Sequence, residues 1–161
     1  MEENYVNKGK VTLRQISKDV AKSMIVKHHY SHAWTMCSFA LGVFYETDNE
    51  HAFFDSKDEK LIGVLVYGTP VGRLSAQSIS EKLEPKEVLE LTRLYIHDGY
   101  GKNIESLALG KSFDWLRKNA SHIKALISYS DPKVSHKGTI YQATNWIYQG
   151  NSIRPNDTYS F

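Results

Sequence analysis

The chain contains a single cysteine, Cys37, among its 161 residues. One thiol cannot form a disulfide within the chain, which excludes a disulfide-stapled secreted scaffold and fits a reducing compartment. No apolar run approaches the roughly 20 residues that cross a membrane, and the N-terminus has no signal-peptide core. We therefore expect a cytoplasmic protein that has no membrane partner.

Excess charge is also scarce, because 20 basic and 18 acidic residues leave a net charge of only +2. This is too mild to indicate a nucleic-acid partner by itself, although it leaves room for a local basic patch. Hydrophobic content of 41% and charged content of 24% are ordinary for a globular protein. The length suits one domain over residues 1–161, with the polar residues 1–10 expected to be loose.

The sequence shows no nucleophilic triad, zinc-finger spacing or Walker loop. Its apolar patterns instead predict a mixed α/β fold with two antiparallel strands ahead of a central unit. The predicted strands cover residues 11–14, 38–45, 61–68, 88–96 and 125–132. The predicted helices cover residues 16–28, 104–119 and 137–148, with a short one near 75–83.

The stretch 90–106 is the centre of this pattern, since an apolar strand breaks at two glycines and restarts as a helix that Asn103 caps. A helix N-terminus after a glycine-containing turn holds anions, because its free N–H groups and its dipole point outward. We therefore predict a loop that binds the phosphates of a cofactor. The residues assigned to it are His97, Gly99, Gly101, Lys102 and Asn103.

The central strand, the helix after it and the next strand have the spacing of a parallel crossover unit, which is right-handed by rule. Ligands of open α/β sheets bind beyond the carboxyl ends of such strands. At this rim we expect Tyr95, His97, Tyr129 and Asp131.

Arg93 lies in the middle of the central strand, where a buried guanidinium costs several kcal/mol unless it is paired. Regular alternation places Glu90 and Arg93 on opposite faces, so they are not expected to pair. Asp131, on the neighbouring strand, is the expected partner. A structural ion pair and a reaction site explain this pair equally well, and both interpretations stay open.

Residues 28–35 crowd three histidines and two aromatic residues into a segment between elements. Histidine titrates near neutrality and binds metals, although such clusters are also common on surfaces. An iron site of two histidines and one carboxylate could use His29 and Asp131, but this spacing is nonspecific.

The first predicted helix begins at an N-cap, Ser17, and carries lysines outside its apolar stripe. These are Lys18, Lys22 and Lys27. A solvated helix face is the ordinary interpretation, and a face that follows DNA phosphates is the sharper one.

Six blocks in one order carry a resemblance to a known family. They are HYS at 29–31, LIGV at 61–64 with YG at 67–68, ELTRL at 90–94, NIES at 103–106, SYSDP at 128–132, and HKGTIYQATNW at 136–146 with Tyr148. Over about residues 28–150 the chain resembles the Mom family of phage DNA-adenine modification proteins.

The resemblance implies a GNAT-like α/β fold, with a mixed sheet around the parallel strand-helix-strand unit and flanking helices. It implies an enzyme that places a carbamoylmethyl or methylcarbamoyl group on the N6 amine of adenine in double-stranded DNA, with the target base flipped out. This modification shields phage DNA from restriction in the host cytoplasm. Acyl-CoA, such as acetyl-CoA, and iron are the implied cofactors.

The family's functional positions fall here on matching residues. The implied catalytic residues are His29, Tyr67, Arg93, Ser106, Asp131 and Tyr141. His29 and Asp131 are also the candidate metal ligands, and Tyr141 resembles the tyrosine with which many GNAT enzymes protonate a departing thiolate. Without the resemblance, a structural role explains these two residues as well as a catalytic one does. Tyr141 would be a core aromatic residue, and Ser106 would be a residue that starts a helix.

The sequence departs from the GNAT pattern at Ile96, where the phosphate signature has glutamine or arginine. This departure weighs against standard acetyl-CoA binding and therefore against the alternative function, an acyl-CoA-dependent N-acyltransferase of a small amine or protein. A third hypothesis is a DNA-binding module without activity. We also expect a closing strand or hairpin after Phe161.

Overall fold

The helices and strands follow the apolar patterns of the sequence, as a computed structural model shows for residues 4–47, 58–70, 75–130, 146–151 and 157–160. The strands are β1 (Val11–Gln15), β2 (Phe39–Thr47), β3 (Asp58–Gly68), β4 (Val88–Ile96), β5 (Ala125–Ser130), β6 (Ile147–Asn151) and β7 (Asp157–Ser160). The helices are α1 (Lys18–His28), α2 (Ser75–Ile79) and α3 (Ile104–Asn119), with short 3-10 helices at Lys8–Lys10 and Pro85–Glu87.

The strands form one mixed sheet in the order β1-β2-β3-β4-β5-β7-β6. Strands β4 and β5 are parallel, and the other neighbouring pairs are antiparallel. The α/β prediction is therefore confirmed, including the central parallel unit β4-α3-β5 and the antiparallel strands ahead of it.

Helices cover both faces of the sheet. Helix α3 packs on one face, where Ile104, Leu109 and Phe113 join the largest apolar cluster. Helix α1 packs on the opposite face through Ala21 and Ile25. Ile79 of α2 packs with a third cluster on β4 and β5. The sheet is thus the middle layer of three, and α1 and α3 lie on opposite sides of β4.

The two predicted N-caps differ in how they work. The Ser17 side chain accepts a hydrogen bond from the backbone N–H of Val20 at 3.3 Å, as expected for α1. Asn103 occupies the cap position of α3, but its backbone is left-handed, with φ of 66°, and its side chain makes no capping bond. The first turn of α3 therefore keeps its N–H groups uncapped by that side chain.

A β-bulge at Thr92 divides β4 into two halves. Val66 pairs with Arg93, whereas the next residue of β3, Tyr67, pairs with Leu91, so Thr92 is the extra residue. An extra residue reverses the alternation of the side chains beyond it. Arg93 therefore faces the α1 side, as Glu90 does, and the prediction that these two residues face opposite sides is wrong.

The N-terminal segment contacts the loop ahead of α3, although the sequence suggested a loose stretch. The backbone N–H of Val6 donates to the carbonyl of Lys102 at 3.0 Å, and the N–H of Lys102 donates to the carbonyl of Asn4 at 2.8 Å. A Cβ atom on Gly101 would lie 2.6 Å from the Val6 backbone. Only glycine allows this approach, so residues 4–6 form one wall of the loop.

The end of the chain differs from the prediction of a helix over 137–148. Ile147 and Tyr148 begin β6, and residues 137–145 lie outside the described residues. Strands β6 and β7 form an antiparallel pair in which β7 lies beside β5. Across the described parts of the chain, no helix has both the length and the apolar character needed to cross a bilayer.

Two glycines of the loop test how the N-terminal segment docks. Gly99 and Gly101 have φ of 95° and 109°, but a Cβ on Gly99 would meet nothing within 4 Å. Alanine at either position adds backbone strain of about 1–3 kcal/mol, and only Gly101→Ala also pushes against Val6. We expect Gly101→Ala to lower the free energy of unfolding by about 1–3 kcal/mol more than Gly99→Ala does, measured by urea denaturation. Equal losses would show that residues 4–6 do not pack on the loop.

Candidate functional site

The candidate site lies where β4 and β5 stop pairing. Their parallel ladder begins at Val88–Ala125 and ends at Leu91–Ser128. Beyond it, among the described residues, β4 pairs only with β3, while Tyr129 and Ser130 of β5 pair with β7. The two strands therefore separate at the bulge, at the carboxyl end where ligands of α/β sheets bind.

Arg93 is the charged residue at this separation. Its Nε donates to the carbonyl of Ala33 at 3.2 Å, and one terminal nitrogen donates to the carbonyl of Thr92 at 2.7 Å. The Thr92 hydroxyl in turn donates to the carbonyl of Val66 at 3.1 Å. The bulge thus fixes the guanidinium and ties it to the segment that follows α1.

His29, at the end of α1, is buried, with 6% of its surface exposed. Its Nδ1 accepts a hydrogen bond from the backbone N–H of Ser31 at 3.2 Å and lies 2.8 Å from the Ser31 hydroxyl. Because a backbone N–H can only donate, the proton of the neutral imidazole must sit on Nε2. Burial, followed by the nearby Arg93 charge, lowers the pKa of His29 from 6.5 to about 4.

His29 is consequently a neutral imidazole at neutral pH, and it presents an N–H rather than a free lone pair. Such a group can donate a hydrogen bond to developing negative charge, and the Arg93 guanidinium beside it acts in the same direction. Proton abstraction by Nε2 would require the other tautomer, in which an Nδ1 proton would meet the Ser31 N–H. The pair therefore suits anion stabilisation better than general base catalysis.

The predicted phosphate loop has the required backbone, because Gly99, Gly101 and Asn103 all have positive φ. The amide of Lys102 is already used by Asn4. The amides of the first turn of α3 are thus the better anion donors. The space beside Gly99 is open as well.

His97 belongs to an aromatic cluster on the α1 side, which regular alternation did not predict. Its Nδ1 lies 2.8 Å from the Tyr95 hydroxyl, and the His28 ring stacks on Tyr95 with centroids 5.4 Å apart. Burial, then His28, lowers the pKa of His97, and burial raises the pKa of Tyr95. The sequence does carry a signal of the bulge, since the apolar residues of β4 change from odd-numbered to even-numbered positions across Thr92.

Tyr67 and Ser106 lie apart from the His29–Arg93 pair. Tyr67 is fully buried in the α3-side cluster, and its hydroxyl lies 2.6 Å from that of Ser112. Ser112 donates to the carbonyl of Leu109 at 2.6 Å, so Tyr67 donates to Ser112. Ser106 is half-buried in the first turn of α3. The structure places neither residue beside His29.

Asp131 and Tyr141 lie outside the described residues, so their expected roles beside Arg93 stay predictions. Within the part of the chain that is described, no group of three histidine, cysteine, aspartate or glutamate residues could hold a metal. His29 fits a metal poorly for its own reasons. Its Nδ1 is bonded to Ser31, and the Arg93 charge beside it repels a cation.

A comparison with known protein families shows to which family this chain belongs. Residues 10–159 match the Mom protein family. The chain belongs to this family. A curated relative, the methylcarbamoylase Mom of Escherichia phage Mu, is 28% identical over 137 residues, which cover 84% of this chain and 52% of that protein. This Mom-family chain thus spans about half the length of that relative.

Solved structures show the fold. The ribosomal-protein-S5-alanine acetyltransferase of Vibrio fischeri superposes with a TM-score of 0.60 at 14% identity, over 94% of this chain and 92% of its own. A GNAT-family N-acetyltransferase of Escherichia coli, in complex with CoA, gives 0.59 at 12% identity, over 99% and 83%. At such identities the likeness shows the GNAT-like fold alone, which confirms the fold prediction.

The Arg93 charge contributes to the low pKa of His29, and this can be measured by NMR titration. We expect Arg93→Met, which removes the charge but keeps the length, to raise the pKa of His29 above about 4 while burial keeps it below 6.5. Arg14→Met is the matched control, because Arg14 lies on the edge strand and pairs with Glu59. An unchanged pKa in Arg93→Met would contradict the proximity of the two residues.

The pKa of His29 also predicts how stability depends on pH. Between pH 6.5 and about 4 the unfolded chain takes up a proton at His29 and the folded chain does not. Stability therefore falls as the pH falls through this window, by on the order of 3 kcal/mol in all. His29→Asn, whose Oδ1 can still accept the Ser31 bond, should show a shallower loss in urea titrations at pH 4–7. Parallel profiles for the two proteins would count against a buried neutral His29.

Proposed function

We propose that this chain modifies the N6 amine of adenine in DNA with a carbamoylmethyl or methylcarbamoyl group and so protects phage DNA from host restriction. Membership of the Mom family supports this function, and the phage Mu relative is itself named a methylcarbamoylase. The observation that carries the proposal in the structure is Arg93, which is fixed at the separation of β4 and β5 and hydrogen-bonded to the segment that begins with buried His29.

The reaction needs what this pair offers. The adenine N6 lone pair is conjugated into the ring, which makes the amine a weak nucleophile. The amine therefore needs an activated donor of the transferred group, and the negative charge that develops on that donor must be stabilised. The His29 Nε2–H and the Arg93 guanidinium supply two donors that are already oriented by Ser31, Ala33 and Thr92. In this proposal Asp131 orients Arg93, and Tyr141 protonates the leaving group.

Acyl-CoA is the cofactor that the backbone fits, and when bound it would supply an acyl group activated as a thioester, while the amide nitrogen of the adduct would have to come from a further nitrogen donor. The amides of the first turn of α3, together with the open loop at Gly99, would hold its phosphates. Ile96 stands in place of the glutamine or arginine of the GNAT signature, so the backbone amides carry this role alone. Iron does not fit His29, and no step is assigned to it.

The proposed partner is double-stranded DNA in the host cytoplasm. Because N6 is held in the base pair with thymine, the adenine must leave the duplex to be modified, which costs a few kcal/mol. The lysines of α1 lie on the same side of the sheet as His29 and Arg93, where they can meet phosphates beside the extruded base.

The second candidate is a GNAT N-acyltransferase of a small amine or protein, which the solved relatives favour by fold. The two functions differ in acceptor. Acetylated polyamine or protein without modified DNA would support the second, and an adenine adduct would support the first.

The decisive experiment expresses the protein in bacteria, digests plasmid DNA to nucleosides and measures adenine adducts by mass spectrometry. We expect an adduct from the wild type, and a loss of roughly a hundred-fold or more from Arg93→Ala and from Asp131→Ala. Arg117→Ala is a matched control, because this exposed arginine pairs with Asp114 on α3. Soluble wild-type protein with only unmodified adenine would contradict the proposal.

A further inference from the structure

Tyr30 is a large aromatic residue at the tip of a turn, and 60% of its surface is exposed. The turn closes between the carbonyl of His29 and the backbone N–H of His32 at 2.9 Å, so Tyr30 and Ser31 are its two central residues. The Tyr30 ring rests on the His29 ring, with centroids 4.3 Å apart and planes tilted by 32°. An exposed ring thus projects directly beside the candidate site.

Hydrogen bonds hold the turn that carries Tyr30 in one conformation, unlike a free surface loop. The His32 ring bonds through Nδ1 to the carbonyl of Val26 at 2.9 Å, and His32 has a left-handed φ of 45°. Ser31 is bonded to His29, and Ala33 accepts from Arg93. The same residues that fix the candidate site therefore also fix the direction of Tyr30.

The segment that leads to Tyr30 carries an excess of lysine over acidic residues. Residues 16–38 contain three lysines and three histidines but only one acidic residue, Asp19. Lys18, Lys22 and Val26 follow one another at four-residue spacing along α1, and all three are exposed, while Tyr30 lies in the turn directly after this helix. Positive charge flanking an exposed ring complements the phosphates and the stacked bases of DNA.

We propose that Tyr30 inserts into the duplex and fills the space that the target adenine leaves, while the lysines of α1 hold the neighbouring phosphates. This inference rests on the proposed function, and it adds the residue that keeps the base out of the stack. Tyr30 would thus act as a wedge in the duplex. Its close contact with His29 places this wedge next to the site that receives the base. The rigid support favours insertion because a mobile ring would lose conformational entropy when it enters the duplex.

The test compares duplex with single-stranded DNA, since only the duplex has a stack to fill. Cleared lysates of expressing cells, which contain the donor that the cell supplies, receive biotinylated random-sequence DNA in either form. The recovered nucleosides are measured by mass spectrometry. We expect Tyr30→Ala to lose roughly ten-fold or more on the duplex and to stay within about two-fold of wild type on single strands. Tyr30→Trp should restore modification of the duplex.

The lysines are tested in the same assay. Lys22→Glu should reduce modification of the duplex and make its decline with added salt shallower, whereas Lys118→Glu, on the exposed end of α3, should change neither. Equal losses by Tyr30→Ala on both DNA forms would overturn the wedge and assign Tyr30 to holding the base. Full activity of Tyr30→Ala on the duplex would overturn it outright. Wild-type protein that modifies neither form would instead contradict the proposed function, and the wedge would fall with it.

Discussion

The bulge at Thr92 is the constraint on which the rest of the site depends. Without this extra residue, Arg93 would face α3 and the apolar core around Tyr67. With it, Arg93 faces α1, where its Nε reaches the carbonyl of Ala33 and its charge reaches His29. The carbonyl of Thr92 accepts from the same guanidinium, so the irregularity in the strand is compensated by the residue that it redirects.

The consequences extend into the segment after α1. Because Arg93 fixes Ala33 and Ser31 fixes His29, a short exposed stretch gains a defined shape without a strand or helix of its own. Neutral His29 and cationic Arg93 together favour negative charge over a metal ion at this point. The predicted phosphate loop gains its shape similarly, from the contact between Gly101 and Val6. Both halves of the site thus depend on packing between distant parts of the chain.

Local patterns were sufficient for much of the fold. The bounds of β4 and the cap of α1 by Ser17 follow from apolar runs and side-chain chemistry. The orientation of Arg93 does not, because regular alternation assumes a register that the bulge changes. The docking of Val6 on the loop was also missed, since a polar N-terminus carries no periodic signal. The end of the chain formed a strand at Tyr148, where helical spacing competed with pairing to β7.

Family resemblance pointed to His29, which composition alone would leave as one of seven histidines. Its tautomer and low pKa could not be predicted from the sequence, because they depend on burial, on the Ser31 hydrogen bond and on the Arg93 charge. The most direct test of this account is the register of β3 and β4, read from cross-strand NOEs in the isotope-labelled protein. We predict contacts between Val66 and Arg93 and between Tyr67 and Leu91. Contacts that pair Val66 with Thr92 and Leu65 with Arg93 would contradict the bulge and, with it, the placement of Arg93 on the side of His29.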